Sequence, residues 1–190
     1  TLAYSSRKKT GMEYSLSTNT DIYLYDLASG QTRNITEGMG GYDTHPRFSP
    51  DGKRISWISM ERDGYEADLK RLFVQDLKTG QKTFLTDGFE YDVDELQWAA
   101  NSQSLFFLST KHAEAQLWEI ALKGRKIRQI TTGMHDYTSL DVQGGKILAG
   151  RQSYIESTDL YLVDVKTGAA KQLTAENKST LDGLAPISVE

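Results

Sequence analysis

The chain has 190 residues, 38% apolar and 25% charged, the balance of a folded globular domain rather than of a disordered segment. Its 26 acidic and 22 basic residues give a net charge of −4, and the basic residues are scattered, which excludes the clustered positive patch of a nucleic-acid binder. There is no cysteine, hence no disulfide framework and no thiolate metal site, and no apolar run approaches the ~20 residues that cross a bilayer or resembles a signal peptide. Neither nucleic acid nor membrane is an expected partner.

In chain order, Thr1 to Ser5 (TLAYS) reads as a short alternating strand. Asp21 to Thr36 (DIYLYDLASGQTRNIT) follows: two alternating runs around Asp-Leu-x-x-Gly, the pattern of a hairpin. His45 to Gly52 (HPRFSPDG) is an apolar strand ending in a Pro-Asp-Gly turn, and Lys53 to Ser59 (KRISWIS) is the strand after it. The hairpin phrase returns at Arg71 (RLFVQDLKTGQKTFLT), Gln116 (QLWEIALKGRKIRQIT) and Asp159 (DLYLVDVKTGAAKQLT). The strand-turn-strand phrase returns, degraded, as Leu96 to Ser102 with SLFFLS and as Val142 to Gly145 with KILAG. The closing threonines, Thr36, Thr86, Thr131 and Thr174, are spaced by 50, 45 and 43 residues, the length of one four-stranded propeller blade.

The expected fold is therefore all-β: a β-propeller of four-stranded antiparallel blades with about four blades present, near residues 1–38, 43–88, 92–133 and 137–176, plus a stub over 181–190. Thr1 to Ser5 matches the second strand of a blade without the turn that should precede it, and Leu181 to Pro186 matches the start of an unfinished first strand. The chain reads as one piece of a larger propeller. Two copies joined end to end, the tail of each completing the opening blade of the other, would close an eight-bladed homodimer; the alternative is an open arc.

The pair of phrases, SPDGK with its strand and then the DLxTG hairpin closing on Leu-Thr, resembles the propellers of prolyl-oligopeptidase-type (S9) serine peptidases and of the periplasmic TolB protein over nearly the whole chain. Met60 to Phe73 (MERDGYEADLKRLF) is similar to a segment of the dipeptidyl-peptidase 5 and acylaminoacyl-peptidase branch, where it joins the second and third strands of a blade. That resemblance implies a non-catalytic propeller cap that gates and orients short peptides for a C-terminal α/β-hydrolase domain of the parent chain. It also implies a periplasmic or extracytoplasmic setting, with the cytoplasm left open. The alternative is a TolB-like propeller acting as a protein-protein interaction module.

The hydrolase chemistry needs a serine on a strained G-x-S-x-G elbow, and no serine here has glycine two residues away on both sides, so no catalytic residue is expected on this chain. His45, His112 and His135 stand apart, without triad or metal-ligand spacing, and neither metal nor cofactor is expected. Glu66 and Asp68, in the acidic segment, are candidates to receive the ammonium of a peptide amino terminus, with Arg62 and Arg71 as counter-ions; the competing reading is that both carboxylates pin a surface connection. Asp43, Asp92, Asp94, Asp136 and Asp182 precede or open first strands, and are candidates for a ring of channel acids that attracts cationic peptide ends. Against this, aspartate at the start of a strand also bonds nearby backbone. The aromatic residues Trp57, Trp98, Trp118, Phe48, Phe73, Phe84, Phe106 and Phe107 recur at corresponding strand positions, which favours core packing over a stacking surface.

Overall fold

Alternating β-branched and aromatic residues yield strands almost throughout the computed structural model, which describes residues 1–181. Asp182 and the rest of the expected terminal first strand, as far as Pro186, lie outside the described residues. Two compact units divide the chain, Thr1–Asp94 and Glu95–Glu190.

The first unit holds two antiparallel sheets. One consists of β1 (Leu2–Ser6), β2 (Asp21–Tyr25) and β3 (Thr32–Asn34), in that order. The other is the four-stranded meander β4 (Asp43–Phe48), β5 (Arg54–Ser59), β6 (Arg71–Asp76) and β7 (Lys82–Phe84). Between β1 and β2 lies a short helix, α1 (Met12–Leu16), that the strand patterns do not announce; none of its residues is buried. Ile22, Leu24, Ile35, Ile55 and Trp57 form the core of this unit. Trp57 stacks on Phe73 and Phe73 on Phe84, with ring centroids 5.7 and 5.1 Å apart, so these aromatic residues pack against one another across β5, β6 and β7.

The second sheet order repeats in β8 (Asp94–Trp98), β9 (Ser104–Lys111), β10 (Glu114–Ala121) and β11 (Ile127–Gln129). In the last sheet the first strand is broken into β12 (Asp136–Tyr137) and β13 (Asp141–Gln143), both paired with β14 (Lys146–Gln152), and β15 (Asp159–Asp164) and β16 (Ala170–Gln172) complete it. A short helix, α2 (Lys178–Leu181), follows. Leu117, Ile147, Ala149 and Val163 are at the centre of the core of the second unit.

Two local devices explain why the phrase repeats. The closing threonine hydroxyl accepts the backbone N–H at the start of the third strand: Thr36 from Ile22, Thr86 from Leu72, Thr131 from Leu117 and Thr174 from Leu160, at 2.9–3.0 Å. In three hairpins an aspartate bonds the two amides and the hydroxyl that follow it in the turn, as Asp76 does with Lys78 and Thr79, and Gly80 adopts φ 75°. The hairpin between β10 and β11 lacks the aspartate: Ala121 stands at that position, and both Gly124 and Arg125 take positive φ. The Pro-Asp-Gly turn is equally recognisable in its degraded copy. Gly52 donates to the Ser49 carbonyl with φ 68°, and Ser102 donates to the Ala99 carbonyl with φ 58°.

Candidate functional site

The segment that the sequence singles out is the eleven-residue connection 60–70, between Ser59 at the end of β5 and Arg71 at the start of β6, which face each other in the ladder. Its first residues lie against Gly40 and Gly41: a Cβ on Gly41 would come within 2.6 Å of the Met60 carbonyl, so glycine is required for this approach. The Met60 amide donates to the Tyr42 carbonyl at 2.8 Å.

Four carboxylates decorate this connection, and three of them have structural partners. Glu61 pairs with the Arg71 guanidinium at 3.2 Å. Asp63 accepts from the Ser17 hydroxyl (2.8 Å) and from the amides of Thr18 (2.6 Å) and Asn19 (3.2 Å), and these donors hold its carboxyl below the usual range. The Gly64 amide completes that clasp by donating to the Thr18 hydroxyl at 2.8 Å. Asp68 is buried and accepts both from the Arg62 guanidinium and from the Arg62 amide (2.8 Å), and the guanidinium hydrogen bond keeps its carboxyl ionised well below the usual range. The Arg62 guanidinium also lies over the Tyr65 ring, 4.0 Å from its centroid.

Glu66 differs from these three in its partners. Like Glu61 and Asp63 it is exposed, but the contact it makes is a long one, 3.4 Å, from the Tyr42 hydroxyl. Of the two candidate anchor residues, the structure places Asp68 inside an ion pair with its expected counter-ion Arg62, and Glu66 on the surface; Arg71 pairs with Glu61 instead.

The first-strand acids have varied surroundings. Asp92 and Asp136 each accept a backbone amide that leads into a third strand, from Lys70 and Ala115 respectively, both at 2.8 Å. Asp94 pairs with the Lys70 ammonium, which raises the pKa of that lysine. Asp43 is completely buried; its Oδ1 accepts from Trp57 Nε1 at 3.2 Å, and burial pushes its carboxyl up to about 6 against the pull of the nearby Ser59, Thr36 and Trp57 donors. Asp182 lies outside the described residues. Of the histidines, His45 occupies a bulge in β4 at φ 55°, His112 lies in the turn between β9 and β10, and His135 is half-buried, edge-on to Tyr137. Among the described residues no group of three His, Cys, Asp or Glu side chains is arranged to hold a metal.

The clasp of Asp63 on residues 17–19 has no signature in the sequence, because its partners are some 45 positions away and on an irregular segment. Only the fold brings the two together.

Antiparallel meander sheets of this size and order define a β-propeller. The sequence pattern of the TolB beta propeller domain matches residues 5–188, and the chain belongs to that family. It is 61% identical over 189 residues to the dipeptidyl-peptidase 5 of Porphyromonas gingivalis and 56% identical to that of Porphyromonas endodontalis. These matches cover all of this chain but only 28% and 27% of those relatives, so the chain spans little more than a quarter of their length. Solved structures agree on the fold. TolB from Acinetobacter baumannii matches 90% of this chain and 40% of its own, with a TM-score of 0.65 at 21% identity. The Pyrococcus horikoshii acylaminoacyl peptidase matches 87% of this chain and 24% of its own, with a TM-score of 0.68 at 21% identity.

Proposed function

We propose that this propeller segment belongs to the non-catalytic cap of a serine dipeptidyl peptidase, where it gates and orients short peptides for an α/β-hydrolase domain C-terminal to it, and that Glu66 receives the peptide ammonium. The observation that carries this reading is the division of labour in the connection 60–70. Glu61, Asp63 and Asp68 are engaged by ion pairs or short hydrogen bonds within the protein, whereas Glu66, exposed, has a single long contact of 3.4 Å from the Tyr42 hydroxyl. A fixed anchor of this kind turns loose binding into one productive pose. The identity to dipeptidyl-peptidase 5 of two Porphyromonas species supports the enzyme class.

The test is Glu66→Gln in the full-length peptidase. Loss of one charge-assisted contact costs about 1.5–3 kcal/mol, so kcat/KM for peptides with a free amino terminus should fall roughly 10- to 150-fold, and for amino-blocked peptides far less. Equal losses on both would remove Glu66 from the anchor role.

A protein-binding module is the second reading, favoured by the TolB family match and the TolB structures. A G-x-S-x-G elbow encoded downstream of Glu190 decides for the peptidase; its absence decides for the module.

A further inference from the structure

Asp43 breaks the repeat in a telling way. In two repeats the residue that precedes the third strand accepts a hydrogen bond from the amide of the residue that enters the next sheet: Thr20 from Asp43, and Lys70 from Val93, both at 3.0 Å. Asp43 and Val93 thus occupy corresponding positions, and both are completely buried. A carboxyl therefore fills a site that the neighbouring repeat gives to a valine.

Asp43 is tied to the connection 60–70 from three sides, once through its carboxyl and otherwise through its backbone and its neighbour Tyr42. Trp57 Nε1 donates to Oδ1 from β5, three residues ahead of the connection. Thr20 bonds both the amide and the carbonyl of Asp43 through its hydroxyl, and Thr20 directly follows the segment 17–19 that clasps Asp63. Tyr42, next in the chain, holds the Met60 amide with its carbonyl and reaches Glu66 with its hydroxyl. Asp43 Oδ2 has no hydrogen-bond partner. The groups around the carboxyl are the Trp57 Nε1 donor, the Thr36 and Ser59 hydroxyls, which donate to Asp21 and to the Met60 carbonyl respectively, and one charged neighbour, Asp21.

We infer that Asp43 is a positioning residue, which sets the geometry of the connection 60–70 and, through Tyr42, the orientation of Glu66. This deepens the anchor reading of Glu66 and rests on it for its consequence in catalysis, while the geometric part stands separately. With burial raising its pKa to about 6, Asp43 is neutral in acid and carries a buried charge beside Asp21 above that point. The base of the connection is then best held below pH 6 and loosened above it.

The experiment uses the full-length peptidase with Asp43→Val, the side chain found at the corresponding site, and Asp43→Asn, which keeps an acceptor for Trp57 Nε1 but cannot ionise. Hydrogen exchange is read at the amides of Met60, Arg62 and Gly64, together with KM and kcat for free and amino-blocked peptides. Asp43→Val should speed exchange across 60–70 and raise KM for free peptides roughly 10-fold, with kcat and blocked peptides little changed. Asp43→Asn should match the wild type at pH 5 and lack its loss of free-peptide preference through pH 6, a step separate from the titration of the peptide amine near ~8. If both variants exchange and discriminate like the wild type at every pH, the inference is overturned. Should Glu66→Gln prove neutral while Asp43→Val still frees the connection, the anchor fails and the positioning role stands.

Discussion

Two connections in corresponding places show how one blade plan is given different duties. Between β9 and β10 the chain turns through His112 and Ala113 alone, with φ 53° and 63°, the two-residue hairpin turn that matches the twist of its strands. Between β5 and β6 the corresponding connection has eleven residues, bears four carboxylates and is fastened to segments 17–19 and 40–42. The short turn serves the sheet. The long one is held by a close approach at Gly41, a clasp at Asp63 and an internal ion pair at Asp68.

The largest expected effect comes from erasing the difference. If the connection is the proposed anchor, replacing residues 60–70 in the full-length protein by a two-residue turn copied from His112-Ala113 should lower kcat/KM for free peptides by more than about 100-fold, since anchor and orientation would be lost together. Amino-blocked peptides, assayed alongside, should lose much less. A graft that loses activity equally on both would mean that the connection supports the fold and not recognition.

A second comparison is between Asp43 and Val93, the acidic and apolar occupants of corresponding sites. A folded-state pKa of about 6 against 3.8 for the free carboxyl means that the folded protein binds the extra proton between those values, so stability falls as pH rises from about 4 through 6. The ionised form then costs about 3 kcal/mol. Asp43→Asn is free of that loss, so urea titrations at pH 4.5 and 8 should show the variant gaining on the wild type by up to about that amount. Parallel pH profiles would contradict the burial argument.

The smallest effect separates two copies of the closing threonine. Thr86 is 2% exposed and its hydroxyl accepts the Leu72 amide, so Thr86→Val leaves that N–H unpaired in a dry site and should cost about 1–3 kcal/mol. Thr174 serves Leu160, which is 42% exposed, and water can replace the hydroxyl there. Thr174→Val should cost under about 1 kcal/mol in the same urea titration. Equal losses would show that the threonines act through strand propensity instead.

The sequence by itself determined the class of fold, because strand alternation and the closing threonine repeat in all four copies and the Asp-x-x-Ser/Thr-Gly turn in three, each a local device visible along the chain. It also located the acidic segment and its place between a second and a third strand. It did not determine which acid of that segment is buried and which is left without a close partner. Glu61, Asp63, Glu66 and Asp68 are similar as letters, and what distinguishes them is a partner far along the chain, as Ser17 is for Asp63, or a side chain folded back, as Arg62 is on Asp68. Nor did it show that Asp43 is buried where Val93 is, since strand pattern permits either face until the sheets pack. Helix α1 went unannounced for a related reason: with no buried residue it carries no apolar period. Local chemistry repeats and can be read in one dimension; exposure and pairing are set only when distant segments compete for the same space and the same donors.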